Sequence, residues 1–145
     1  MTDAEAMKNF ARLQREVHVL SRQYTRMLAE SDGPGEVRGA NPRRGRRTNE
    51  PGYARMQHFD LLEKHLREAE TRYTEAQNGF DRVLKGVKSP LMKSLLIEYY
   101  GLGRTDSQVA EDLEMSQRNV NRMRHTFLRH LDYLENQREN GEEQP

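Results

Sequence analysis

The apolar residues Phe59, Leu62, Leu66, Ala69, Tyr73, Ala76, Phe80 and Val83 alternate three and four apart without a break. At helical pitch this spacing draws one continuous stripe along a single face, and such a stripe needs a helical partner to leave water. Phe10, Leu13, Val17, Leu20, Tyr24 and Met27 keep the same alternation nearer the N-terminus. Thr2 with Glu5 three residues later has the form of a capping box for that first helix. The two helices are therefore expected to form a long antiparallel hairpin within the chain, or to contribute to a helical dimer. Small Ala69 and Ala76 would suit close, uneven packing against Tyr24 or Phe10, with the register left open. Gly79 is expected to interrupt the second helix, and Gly86 with Ser89-Pro90 to end it at a hinge.

Between the two stripes, residues 31 to 52 read SDGPGEVRGANPRRGRRTNEPG. Gly and Pro argue against a continuous helix here, so the segment is expected to be a flexible loop. Arg43, Arg44, Arg46 and Arg47 give it a compact positive charge. An arm of this kind can follow a phosphate backbone or enter a narrow minor groove, and the same charge also keeps a loop solvated.

The most informative segment for function is 105 to 131, TDSQVAEDLEMSQRNVNRMRHTFLRHL. Thr105 is placed to cap a short helix, and Gln108 to reach back to it. Val109 and Leu113, four apart, share the inner face, and small Ala110 lets a second helix cross closely. Glu114 and Met115 make the turn, and Ser116 caps the next helix. In that helix Val120, Met123, Phe127, Leu128 and Leu131 form an apolar stripe. The polar face near its start carries Gln117, Arg118, Asn121 and Arg122. Arg can fork onto guanine, and Asn or Gln can pair with adenine, in a major groove read by the first turns of a helix. Free N–H groups at the helix start can also approach a phosphate. The segment thus reads as a helix-turn-helix whose partner is double-stranded DNA, with Thr105, Ser116, Gln117, Arg118, Asn121, Arg122 and the four loop arginines as candidate contacts.

The pattern of a capped short helix, a Val109-Ala110 pair, a Glu114-Met115-Ser116 turn and a long helix ending in Leu128 and Leu131 resembles the C-terminal promoter-reading region of primary bacterial sigma factors. By that resemblance Gln117, Arg118, Asn121 and Arg122 fall where the family contacts bases. In the preceding helix Glu98 stands where an apolar residue is common, while Met92, Leu95, Leu96 and Tyr99 or Tyr100 supply core. The chain is too short for a sigma factor and has nothing like the region that melts promoter DNA. Overall, roughly over residues 53 to 135, it resembles phage late-operon transcription activators of the RinA and ArpU type, a helical hairpin followed by a sigma-like helix-turn-helix. The resemblance implies a transcription activator that also contacts RNA polymerase.

Composition narrows the rest. With 145 residues, 34% hydrophobic and 32% charged, the chain allows one ordinary domain or two small units. No apolar run approaches the roughly 20 residues that cross a membrane, and no secretory signal is visible, so a cytoplasmic place in a bacterial host cell is expected. The absence of Cys excludes disulfides and thiolate metal sites. A net charge of +1 requires attraction to nucleic acid to come from local clusters. The acidic end, Glu135 to Glu143, is expected to project as a frayed tail. His18, His58, His65, His125 and His130 lack the pairing of common metal sites, and no glycine-rich phosphate loop appears. Neither catalysis, metal nor cofactor is expected. Tyr99 and Tyr100 read as core and edge aromatics, and Glu111, Asp112 and Glu114 as a solvated surface or a face toward polymerase.

The expected architecture is all-α: a helical hairpin or coiled coil over 1–86 with its loop at 31–52, a sigma-like helix-turn-helix over 87–135, and an acidic tail over 136–145. Besides an activator, the pattern admits a phage small terminase subunit that recognises viral DNA for packaging, or a polymerase-binding antiterminator. A homodimer is expected where two copies read two half-sites.

Overall fold

The computed structural model describes residues 1–32 and 49–143. Five helices occur among them: α1, Asp3–Asp32; α2, Asn49–Gly86; α3, Pro90–Leu96; α4, Asp106–Leu113; and α5, Gln117–Glu143. A π-helical turn, Ile97–Gly101, continues α3. No strand occurs among the described residues, as the all-α reading expects. The arginines expected to charge the loop, Arg43, Arg44, Arg46 and Arg47, lie outside the described residues. α2 begins inside the segment expected to be loop, with Pro51 in its first turn, where the missing N–H has no helical acceptor to lose. No helix among the described residues is long and apolar enough to cross a membrane.

The chain forms two compact units, one of Gln14–Arg72 and the other of Met1–Leu13 with the chain from Tyr73 onward. In the Gln14–Arg72 unit the rings of Tyr24 and Phe59 lie 4.9 Å apart. The Arg72 guanidinium reaches Glu16 Oε1 at 3.3 Å. Partners in α2 recede as α1 advances, so the two segments run antiparallel within this unit. The stripe residues Val17, Leu20, Tyr24, Met27, Phe59, Leu62 and Leu66 are half-buried, and Ala69 is fully buried.

The other unit has the larger core. Met7, Leu95, Leu96, Val109 and Val120 are fully buried, joined by Phe80, Val83, Val87 and Tyr100. Phe10 stacks against both Tyr73 and Phe80, at 5.4 and 5.2 Å between centroids. Arg82 Nη2 meets Asp3 Oδ1 at 3.0 Å. Local chemistry fixes the helix starts here. The Thr2 hydroxyl accepts from Glu5 N and the Glu5 carboxylate from Thr2 N, both at 3.2 Å, the reciprocal pair that satisfies two orphan donors. Ser89 Oγ accepts from Met92 N at 3.2 Å, with Pro90 at the first position of α3.

Two expectations are corrected. The acidic end is not a frayed tail from Glu135: α5 runs to Glu143, and Glu135 Oε1 accepts from Ala4 N at 2.8 Å, satisfying a free donor of α1. Gly79 does not interrupt α2, which continues to Gly86. Its role is steric, because a Cβ built on Gly79 would stand 2.5 Å from the Ala6 Cβ. Two small residues thus let α1 and α2 approach at backbone distance in this unit.

Gly79→Ala is therefore expected to destabilise the chain although alanine is the better helix former. The propensity gain is about 1 kcal/mol, whereas overpacking against a rigid methyl costs about 1–3 kcal/mol. A fall in the thermal midpoint followed by circular dichroism, largely recovered by Ala6→Gly in the same chain, is the expected result.

Candidate nucleic-acid interface

α4 opens as its sequence dictates. The Thr105 hydroxyl accepts from Gln108 N at 3.2 Å while the Gln108 side chain accepts from Thr105 N at 3.1 Å. Val109 and Ala110 are buried and Leu113 is half-buried, so the inner face of this short helix is the expected one. It closes at Glu114, whose backbone is left-handed at φ 55, ψ 45, with its N–H directed to the carbonyls of Ala110 and Glu111. Met115 N also returns to Ala110 O, at 2.9 Å. Ser116 Oγ then accepts from Asn119 N at 3.1 Å and starts α5. Three residues therefore turn the chain between two helices, and both capping hydroxyls are committed to backbone donors.

Gln117, Arg118 and Arg122 are exposed on the first turns of α5. Arg122 Nη2 donates to Asn119 Oδ1 at 2.8 Å, which holds the guanidinium against its own helix and restricts its rotamers. Asn121 is placed differently: it is half-buried, and its Nδ2 donates to Asp106 Oδ2 at 3.1 Å. The sequence pattern put Asn121 with the reading residues because it lies near them on the helical wheel. The structure turns its amide toward α4. Ser116, Arg118, Arg122, His125 and Arg129 line one shallow cleft along α5 with the two asparagines. No acidic residue occurs between Ser116 and Leu131.

The residues that hold this surface in place were not evident from the sequence. Arg124, on α5, is buried at 8% exposure. It donates through Nε to Asp106 Oδ1 at 3.3 Å and through Nη2 to Asp106 Oδ2 at 3.1 Å, a fork on one carboxylate. Its guanidinium carbon lies 4.1 Å from the centroid of the Tyr99 ring, and Tyr99 meets Tyr100 edge-on at 4.8 Å. Burial alone would raise the Asp106 carboxyl, but hydrogen bonds from Arg124 and Asn121 and the charge of Arg124 outweigh it and hold the group below the usual carboxylate range. Burial pushes the Tyr100 phenol up. The only sequence trace of this cluster is an arginine interrupting an otherwise apolar face of α5.

On the other side of α4, Arg104 pairs with Asp112 and lies 3.4 Å from Glu98 Oε1. Glu98, the residue out of place in the apolar pattern, is thus part of a polar group rather than of the core. Burial raises its pKa, and so does neighbouring Asp112, both as an acceptor for the protonated form and through its negative charge, against the lowering effect of Arg104. No group of three or more His, Asp or Glu suited to a metal occurs among the described residues. No protein-family model matches the chain, and no curated protein or solved structure does either.

Two outcomes follow from this geometry. Asp106→Asn is expected to cost roughly 3 kcal/mol at neutral pH, because it leaves the buried Arg124 charge without its counter-ion. The native carboxyl contributes fully above the unfolded aspartate pKa, about 3.9, and that contribution drains as pH falls through its depressed folded value. The stability gap between parent and variant, read from urea melts, is therefore expected to be wide at pH 7 and to close toward strong acid. Glu114→Gly, by contrast, relieves a left-handed residue and is expected to raise stability by up to about 1 kcal/mol, with no change in helicity.

Proposed function

We propose that the chain is a sequence-specific double-stranded DNA-binding transcription regulator in which α4, the turn and α5 act as a helix-turn-helix. The observation that carries this reading is the exposed face of early α5. It presents Gln117, Arg118 and Arg122, with no acid from Ser116 to Leu131, on a helix pinned to its neighbours by a buried ion pair. In this reading α5 enters the major groove by its N-terminal turns, with α4 crossing the backbone. Arg118 and Arg122 would each fork onto guanine O6 and N7, and Gln117 would pair with adenine. Asn119 pre-sets Arg122, which lowers the entropy lost when a long side chain is fixed on a base. Asn121 keeps α5 seated through Asp106, so base recognition rests on the other three.

The resemblance to RinA- and ArpU-type proteins supports reading the regulator as a late-operon activator of a phage that works in the bacterial cytoplasm and contacts RNA polymerase through a surface other than the reading face. The antiparallel segments of α1 and α2 supply association, so that two copies read half-sites about one helical turn apart.

Selection of bound sequences from random duplex DNA, with the mass of the complex determined, tests the reading. Arg118→Ala is expected to weaken the selected duplex by about 1–3 kcal/mol and to relax the preference at one base pair. Retained preference in the folded variant sinks the base contact. Stimulated transcription from a promoter carrying the selected site, with purified polymerase, is the outcome expected of an activator.

A further inference from the structure

The basic surface of α5 is longer than the part that base reading uses. Arg118, Arg122, His125 and Arg129 follow one another at spacings of four, three and four, which at helical pitch keeps them within an arc of about 60°. All four are exposed and line the same cleft. The next residue on that stripe, three further on, is Asp132, and it too is exposed. The row thus carries three arginines and no acid through Arg129, and an acid follows one turn later. Beyond Asp132, Glu135 is occupied by Ala4 N, so α5 there serves the fold rather than a ligand.

Length decides what the far end of the row can touch. At 1.5 Å per residue Arg129 stands about 16 Å along the axis from Arg118, and the major groove is about 12 Å wide. A helix that sets Arg118 on base edges therefore carries Arg129 past the groove floor to its wall, where the exposed groups are phosphates. Asp132, one turn on, would be repelled there and marks where the helix must clear the duplex.

We propose that Arg129, with His125 beside it, is a phosphate-contacting extension of the α5 surface that sets register on the duplex without reading sequence, and that the change of sign at Asp132 is its boundary. This rests on the reading of α5 as a duplex-binding helix. A contact of this kind neutralises one phosphate and releases its counter-ion, so its mark is in the salt dependence rather than in the choice of site.

The full chain and its Arg129→Ala, Arg129→Lys, Asp132→Lys and Arg118→Ala variants are titrated, over a series of chloride concentrations, against a random-sequence duplex pool and against the duplex selected from it. Arg129→Ala is expected to weaken both duplexes by the same factor, about three- to tenfold, and to make the log–log salt slope shallower by about 0.9. Arg129→Lys is expected to restore both, and Asp132→Lys to strengthen both and steepen the slope. Circular dichroism is expected to be the same throughout, since both positions are exposed and alanine and lysine are good helix formers. An unchanged slope in either Arg129→Ala or Asp132→Lys overturns the phosphate row, and leaves the base-reading assignment standing if Arg118→Ala still loses preference. A changed sequence preference in Arg129→Ala overturns the row in favour of base reading, and failure of the parent chain to bind either duplex overturns both.

Discussion

The fork of Arg124 on Asp106 is the contact that the arrangement of α4 and α5 depends on. Helices joined by three residues are not held at one crossing angle by the turn alone. The apolar contacts of Val109, Ala110 and Val120 are non-directional and tolerate sliding. The guanidinium fork does not, because two N–H groups must meet two oxygens in one plane. Asp106 opens α4, where the helix dipole already favours a negative charge, so its pair with Arg124 ties the start of one helix to the second turn of the next. Tyr99 underneath covers the guanidinium face that would otherwise be left without partners. The π-helical turn is what supplies the ring: its wider step places Tyr99 under Arg124 while the adjoining Tyr100 enters the core.

A second polar tie acts farther along α4. Arg104 follows the π-helical turn and holds Asp112, with Glu98 beside both. Its Glu98 member responds to acid in the opposite sense to Asp106. The Glu98 carboxyl is raised, so its folded environment favours the protonated form, and its contribution is greatest at low pH and declines as pH rises through the raised value. Asp106 gains from ionisation and loses as pH falls. Between Asp106, which is forked by a buried cation, and Glu98, one of whose oxygens is buried without a hydrogen-bond partner among the described residues, the first dominates above the carboxylate range. Both ties use α4, and within them Asp106 and Glu98 carry opposite pH dependences.

What could be read in advance was what the chain encodes locally. Capping boxes at Thr2 and Thr105, and the Ser89 and Ser116 caps, follow from residues three apart, and each hydroxyl is found on its backbone donor. Apolar alternation likewise marked positions that prove buried or half-buried along α1 and α2. Contacts between distant residues were hidden. Nothing near Glu135 announces Ala4, and nothing near Gly79 announces Ala6, so a glycine that permits close approach looks in sequence like one that breaks a helix. The polar side of α5 carried a related ambiguity. Asn121 and Arg122 are neighbours of similar polarity, yet one faces α4 and the other solvent, and only the position of Asp106 separates them. Arg124 is not marked by its sequence neighbours, because a buried arginine is recognisable only by the carboxylate and ring that compensate it.

Charge distribution connects these packing details with the proposed activity. A chain of net charge +1 gains almost nothing from long-range attraction to a polyanion. Any affinity must then come from charges held close together, within a Debye length of roughly 8 Å in physiological salt. α5 meets that condition by segregation: its acids are confined to Asp132 and beyond, and the buried pair consumes Arg124, leaving Arg118, Arg122 and Arg129 on a single exposed stripe. Asp106 thus has two consequences at once. It neutralises the inward-pointing Arg124, and it takes the Asn121 amide, which leaves Gln117, Arg118 and Arg122 as exposed polar groups at the helix start. A regulator built this way would bind DNA generally only weakly, and would depend on close fit in the groove for most of its discrimination.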